Sequence, residues 1–479
     1  MNKPLIGVAV ALFLFLAAAC GEQHWTVHEW GTFTSLQDEA GVAIGGINTD
    51  DEPVPGFVHR LADFLLLRPT QVPSFFFQGA PSCHPDVTMR LETPVLYFHP
   101  PQPGLSLSEI NVTVEFHGGW LSEYYPVAEP EAPGLGGRNT FQFGHLAANT
   151  VSQLKWEHLK IGGHWPITNT SAHVWLSPRA VQAAQILGTN GESEKFLFYR
   201  GVAHIDAPLR ISRADQQLVF RSQLENLPGN PSLTIRSIWL VDIRPDGRLA
   251  FRALPLLKID GDSNTVLART PASFTPGDYA ADNLEILKSS LQWALVSEGL
   301  YEDEAQALLN TWELSYFKST GLRVFFIVPR AWVDHYLPLK VSVRAELDRV
   351  MVGRIELVTP EDRADLQALS AFTPQQIRQD AAQLWTNFYG KITYHFSTNR
   401  PPSQVMQKLN LELAQVDDGQ KPLNSFITVP QTYATYLDLG RFRNALVLEQ
   451  AKRRPTEGLT NFIAFYRLEP YKPAETFSP

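Results

Sequence analysis

The stretch VHEWGTFTSL, residues 27–36, sets His28, Glu29 and Trp30 side by side. An imidazole next to a carboxylate is the material of general acid–base catalysis or of a divalent-metal site. The acidic loop NTDDEP (48–53) and His59 lie close by in the chain. His28, Glu29, Asp51, Glu52 and His59 are therefore the candidate metal ligands, and a divalent metal is the cofactor this pattern suggests. Eleven of the 13 histidines stand at or before His204, which points a metal or acid–base site toward the first half. A second chemistry uses paired carboxylates, with Glu29 and Glu92 as the acid and the nucleophile or base of a glycoside hydrolase. The catalytic candidates are accordingly Glu29, Glu92 and His28. Arg200 in FLFYRG, Arg330 in VPRAW and Arg354 in VGRIE each interrupt an apolar run. Guanidinium groups in such places pair with carboxylates or clamp an anionic ligand, so these three are the ligand-binding candidates.

The β-branched and aromatic residues around His28 specify a strand. Alternation then puts Val27, Glu29, Gly31 and Phe33 on one face and His24, Thr26, His28, Trp30, Thr32 and Thr34 on the other. Glu29 falls on the more apolar face, where a lone charge is prohibitively costly and needs a cation, hydrogen bonds or a metal. The expectation is that guanidinium or amide groups neutralise it as internal architecture, with Arg200 and Arg354 among the available arginines. His24 and His28 stand about 13 Å apart on a strand, too far to share one ion. The zincin pattern H-E-x-x-H fails because Thr32 occupies the place of its second histidine. Trp25, Trp30, Trp120 and Trp165 offer stacking surfaces for sugars but read first as core. G-x-S-x-G, the P-loop and G-x-G-x-x-G are all absent from the sequence.

The elements that must carry these residues change character along the chain. Short alternating runs such as TMRLETPVLYFH (88–99), EINVTVEFH (109–117) and VSQLKWEHLKI (151–161) recur between Gly/Pro turns up to about residue 270. They predict an antiparallel, sandwich-like region, interrupted by helical segments at 57–67 and 177–187. After residue 275 the period becomes 3.6: Leu284, Leu287, Leu291, Ala294 and Leu295 mark one helix face, Gly299 closes that helix, and residues 301–317 begin the second arm of an αα-hairpin. Two strands follow, at 321–329 and 349–358. Thr359-Pro360 and Thr373-Pro374 then each open a helix, the second with Ile377, Ala381, Leu384, Trp385 and Phe388 on its apolar face. Helices are also expected at 400–416, 431–454 and 456–468. The fold class is α+β, with a β-rich N-terminal half and a helix-rich C-terminal part. The expected divisions are 1–20, 21–275 (β-rich), 276–358 (αα-hairpin plus strands) and 359–479 (helical).

Residues 1–20, MNKPLIGVAVALFLFLAAAC, have the form of an export signal: Lys3, then an apolar run, then three alanines. A cysteine directly after the small residues resembles bacterial lipoprotein signals, which implies lipidation of Cys20 and a membrane partner through that lipid. Gly21 in place of aspartate resembles lipoproteins sent to the outer membrane. The alternative for the two cysteines is a Cys20–Cys83 disulfide, worth about 4 kcal/mol by loop entropy. Removing residues 1–20 takes away Lys3 alone and deepens a formal charge of -9. Such a balance gives no electrostatic footprint for nucleic acid.

Several stretches together, VHEWGTFTS, RLETPVLYF followed by LSEYYP, EKFLFYRG, VPRAW with LPL, and RVMVGRIEL, resemble an uncharacterised family of large exported bacterial proteins over roughly residues 25–360. The resemblance implies family membership and brings no reaction or ligand with it. The leading expectation is a lipid-anchored cell-envelope protein with a binding or scaffold role toward an envelope partner or small ligand. The rival is an extracytoplasmic hydrolase, either metal-dependent or a two-carboxylate glycosidase.

Overall fold

A computed structural model describes residues 24–48, 54–61, 76–77, 79–134, 143–224, 227–228, 232–260, 262–396, 429–466 and 468–473. Nine strands form its main sheet. In chain order they are β1 (Trp25–Gln37), β2 (His59–Arg60), β3 (Met89–His99), β4 (Gly119–Tyr125), β5 (Leu197–Ala203), β6 (Ile238–Ile243), β7 (Leu249–Ala253), β8 (Gly321–Ile327) and β9 (Ala345–Leu357). Their spatial order is β7-β6-β8-β9-β1-β3-β5-β4-β2. β1 is therefore central, in keeping with burial of every residue but the half-buried Thr26. It pairs parallel with β9 from Trp25↔Ala345 to Gln37↔Leu357, and antiparallel with β3. The β1–β3 register shifts between Trp30 and Thr32. There Thr93 takes a positive φ of 48°, and a Cβ on Gly31 would stand 2.9 Å from the Pro94 Cα. The ETPV stretch thus places a proline, which has no ladder donor, at a bulge, and only glycine fits opposite.

The two faces of this sheet are covered differently. One packs Val27, Phe33, Leu91, Leu96 and Tyr199 against Val112, Val114, Phe116, Leu154, Trp156 and Ile161 of a second sheet. That sheet runs Ser193–Glu194, Gln185–Leu187, Val151–Gly163, Leu107–His117, Leu339–Val341. The other face carries helices. α1 (His173–Ala180), α2 (Asn283–Ser297) and α3 (Glu302–Thr311) share a core with Trp30, Tyr97, Phe325 and Val350. α4 (Arg330–Tyr336) is the exception among the helices, since its Trp332 packs on Phe33 in the sheet–sheet core. α5 (Pro360–Ala371), α6 (Pro374–Phe396), α7 (Gln431–Asp438), α8 (Arg443–Arg453) and α9 (Glu457–Tyr466) follow. These C-terminal helices pack with Leu36, Trp120 and Val202 toward the far end of β1.

The fold is α+β, strand-rich in its core with most helices late in the chain. One sheet contains strands from both sides of residue 275. The αα-hairpin forms as its apolar spacing dictates, with Leu287, Leu291, Ala294 and Leu295 buried and Gly299 at φ 120° after it. Thr359 caps α5 reciprocally with Asp362. Other local expectations give way to tertiary pairing. Within the expected 57–67 helix, His59–Arg60 is a strand held by β4, and residues 62–67 lie outside the described residues. Residues 177–187 divide between the end of α1 and the strand Gln185–Leu187, which pairs with Val151–Gly163. The single helix expected at 431–454 breaks into α7 and α8 at Gly440, whose φ is 71°. The 400–416 segment and the side chains of Trp385 and Phe388 lie outside the described residues, as does Cys20. Among the described residues no helix is long and apolar enough to cross a membrane.

Candidate functional site

Glu29 points into the sheet–sheet core and is fully buried. Its Oε2 accepts from Arg349 Nε at 2.5 Å, and its Oε1 accepts from the Tyr199 hydroxyl. Arg349 faces it directly across the parallel ladder and also donates from Nη1 to Asp334 of α4 at 2.8 Å. Burial opposes the charge of the Arg349 guanidinium, but Glu29 and Asp334 overcome it and hold its pKa above the ordinary range. Burial and then the Glu29 charge push the Tyr199 phenol well up, so it stays a donor. This is the neutralised internal acid expected from alternation, with Arg349 rather than Arg200 or Arg354 as its cation.

Glu92 lies on the opposite face of the sheet, also fully buried. It accepts from Thr34 Oγ1 at 2.7 Å and from Arg441 Nη2 at 2.9 Å, with Arg90 Nε at 3.3 Å. Glu29 and Glu92 therefore project from opposite sides of one sheet and do not flank a common bond, as a glycosidase pair must. Around Glu92 the same face is rich in guanidinium groups. Arg354 donates to Glu356 at 2.5 Å, and Arg323 stands 3.2 Å from the same carboxylate. Burial and then neighbouring Arg354 lower the Arg323 pKa to about 10, against the pull of Glu356. Burial, followed by the Glu92 charge, drives the Tyr316 phenol upward.

The remaining candidates are dispersed. Arg200 donates to Glu123, which also accepts from Arg60 at 2.8 Å. Arg330 opens α4 instead of lying in a strand, and holds Asp334 at 2.8 Å and the Leu347 carbonyl at 3.0 Å. His59 is bonded to Glu192 at 2.9 Å and stacks near Tyr124. It is not brought to His28. Asp51 and Glu52 lie outside the described residues. Trp25, Trp30 and Trp120 are core, while Trp165 is half-buried.

Among the described metal candidates, His28 joins a cluster of three metal-type side chains. It projects from the helical face of β1, away from Glu29, and its Nδ1 lies 2.7 Å from Glu304 Oε2. His99, at the end of β3, sets Nε2 2.9 Å from Glu304 Oε1. All three residues are buried, and one ligand atom from each falls within 4.8 Å of the others. Glu304 sits in the first turn of α3 and also accepts the Tyr301 amide at 2.8 Å. Burial raises its carboxyl pKa, but the two imidazoles reverse that and hold it below the ordinary value. Sequence reasoning missed His99 and Glu304. His99 ends an apolar strand, and Glu304 belongs to the acid-rich start of a helix, a pattern that reads as capping.

Two surface recesses of ligand size lie apart from these residues. A half-open groove of about 780 Å³ is lined by His117, His204, His335, Arg210, Asp206 and Tyr336, among others. A second, of about 560 Å³, meets Arg210, Arg213, Arg221, Ser212, Asn264 and Arg453.

No protein-family model matches the chain, and no curated protein matches it. Among solved structures, the chain is similar to the Fcho1 mu homology domain of Danio rerio with bound Eps15 peptide. The TM-score is 0.25 and the identity 8%, over 70% of this chain and 95% of that one. It is also similar to the yeast delta-COP-I mu-homology domain complexed with a Dsl1 WxWxV peptide. That likeness has a TM-score of 0.22 and 10% identity, over 70% of this chain and 96% of the other.

Proposed function

We propose that this chain is an exported cell-envelope protein, anchored through a lipid on Cys20, whose body has a binding or scaffold role. The observation that favours this reading over a two-carboxylate glycosidase is the state of its two candidate acids. Glu29 and Glu92 are fully buried and held by arginine. A catalytic carboxylate must reach its substrate and exchange a proton, and a buried ion pair is poorly placed for both. The groove around His117, His204, His335 and Arg210 has the volume of a small-molecule site and supplies the binding surface.

The test takes the purified mature chain through panels of glycoside, ester and peptide reporters, beside Glu29→Gln and Glu92→Gln. The expected result is no turnover in any form, with both variants less stable. Turnover that either variant abolishes at unchanged Tm would reject the reading. Mass spectrometry of the membrane-extracted protein checks the anchor: a diacylglyceryl group on Cys20 is expected, and Cys20→Ala should leave the membrane fraction.

A further inference from the structure

We infer that His28 Nδ1, His99 Nε2 and the Glu304 carboxylate form a binding site for a divalent transition metal of the zinc class, tying β1, β3 and α3 together. The inference is independent of the binding or scaffold reading. It begins from the two nitrogens of one imidazole. His28 Nδ1 faces Glu304 at 2.7 Å, while its Nε2 faces Asp348 Oδ2 at 3.7 Å. A neutral imidazole has one N–H and one lone pair. Set between two carboxylates, a neutral ring turns its lone pair toward one of them, and a second cation, proton or metal, is needed to satisfy both. A cation on Nδ1 removes that conflict and leaves Nε2–H aimed at Asp348, the outer carboxylate that orients a metal-bound histidine.

Charge points the same way. Glu304 and Asp348 bring two negative charges against two imidazoles, and a divalent ion balances them. Nitrogen donors favour zinc-class ions over calcium or magnesium, which require oxygen ligands. Metal bonds of about 2.0–2.1 Å separate tetrahedral ligands by about 3.3 Å. The present 2.7 and 2.9 Å separations, to different Glu304 oxygens, then need to open by about 0.5 Å, with all three ligand atoms, now within 4.8 Å of one another, brought to that common spacing. Asp348 can approach because residue 299 is glycine: a Cβ there would sit 3.1 Å from its Cγ. The Tyr301 ring packs on both imidazoles, at 4.5 and 4.7 Å, yet remains 46% exposed. With the 40% exposed Asp348 side chain it marks the way in from solvent. Three ligands from three separate elements make the ion a cross-link of the fold.

The experiment uses the mature chain, stripped with chelator and titrated with Zn²⁺ alone, with Co²⁺ as a spectroscopic probe. One equivalent should bind and raise Tm, and Co²⁺ should give visible absorption of tetrahedral type. His99→Ala and Glu304→Gln should each abolish the Co²⁺ signal. Asp348→Asn, which removes only the outer partner, should weaken affinity roughly 10–100-fold. Glu29→Gln, on the other face of β1, should leave metal content unchanged. A folded wild type that binds no stoichiometric Zn²⁺ and shows no Tm change would overturn the inference, leaving a hydrogen-bonded His–Glu–His clamp. So would stoichiometric metal retained in both His99→Ala and Glu304→Gln.

Discussion

Glu29 and His28 are consecutive residues of one strand, yet they belong to different regions of the molecule. Glu29 enters the sheet–sheet core, where a cation from β9 meets it across the ladder. His28 enters the helical side, where it meets an acid from α3 and stands near one from β9. Two lessons follow. Adjacency in a strand separates side chains rather than joining them, so an HE pair there is not a dyad. And the same strand holds a region closed by carboxylate–guanidinium pairing beside one where imidazoles meet carboxylates.

The largest effect that sharpens this contrast lies on the Glu29 side. Arg349→Met leaves a carboxylate buried with its cation gone and should cost about 3–5 kcal/mol in urea unfolding. Adding Glu29→Gln should recover much of that loss, because the stranded charge is then removed as well. A single variant as stable as wild type would break the comparison. Next in size is Thr34→Val, which takes a donor from Glu92 at nearly unchanged shape. It should cost about 1.5–3 kcal/mol, the range for hydrogen bonds to charged groups, and denaturant midpoints measure it.

The smallest effect concerns the polar seam between the end of β1 and the C-terminal helices. Glu39 accepts from Arg363 at 2.6 Å, and Arg363 also holds Glu449 of α8 at 2.7 Å. Burial pushes the Glu39 carboxyl up, but Arg363, with help from Arg453, brings it from 4.5 down to about 2. A depressed acid stabilises the fold fully above its unfolded value and loses that contribution as pH falls through the folded one. Tm should therefore decline between about pH 4.5 and 2, and Arg363→Met should flatten that limb. Parallel acid limbs in the two proteins would dismiss the assignment.

Much of the fold was legible because period and punctuation are local. The alternation in residues 25–37 correctly assigns Glu29 and His28 to opposite faces, and the hairpin of α2 and α3 follows from leucine spacing. The parallel pairing of β1 with β9 was not legible, since no local signal links segments more than 300 residues apart. That pairing decides which arginine meets Glu29. Arg349 and Arg354 stand five apart on one strand and so face opposite ways; without the register, Arg354 was as good a partner. The site suffered similarly. His28 is visible as a candidate, but Glu304 looks like any acid in a first helical turn, and its distance from His28 collapses only in three dimensions.

The pairing of β1 with β9 also bears on how the molecule comes into being. As the chain is made and exported, the ribbon that becomes the middle of the sheet comes early, and its flank runs from Ala345 to Leu357. Until that flank emerges, one edge of the earliest strand stays bare, a template for sticking to other chains. Shortened products ending before residue 345 should then accumulate as aggregates, and assembly should be slow in the manner of long-range topologies.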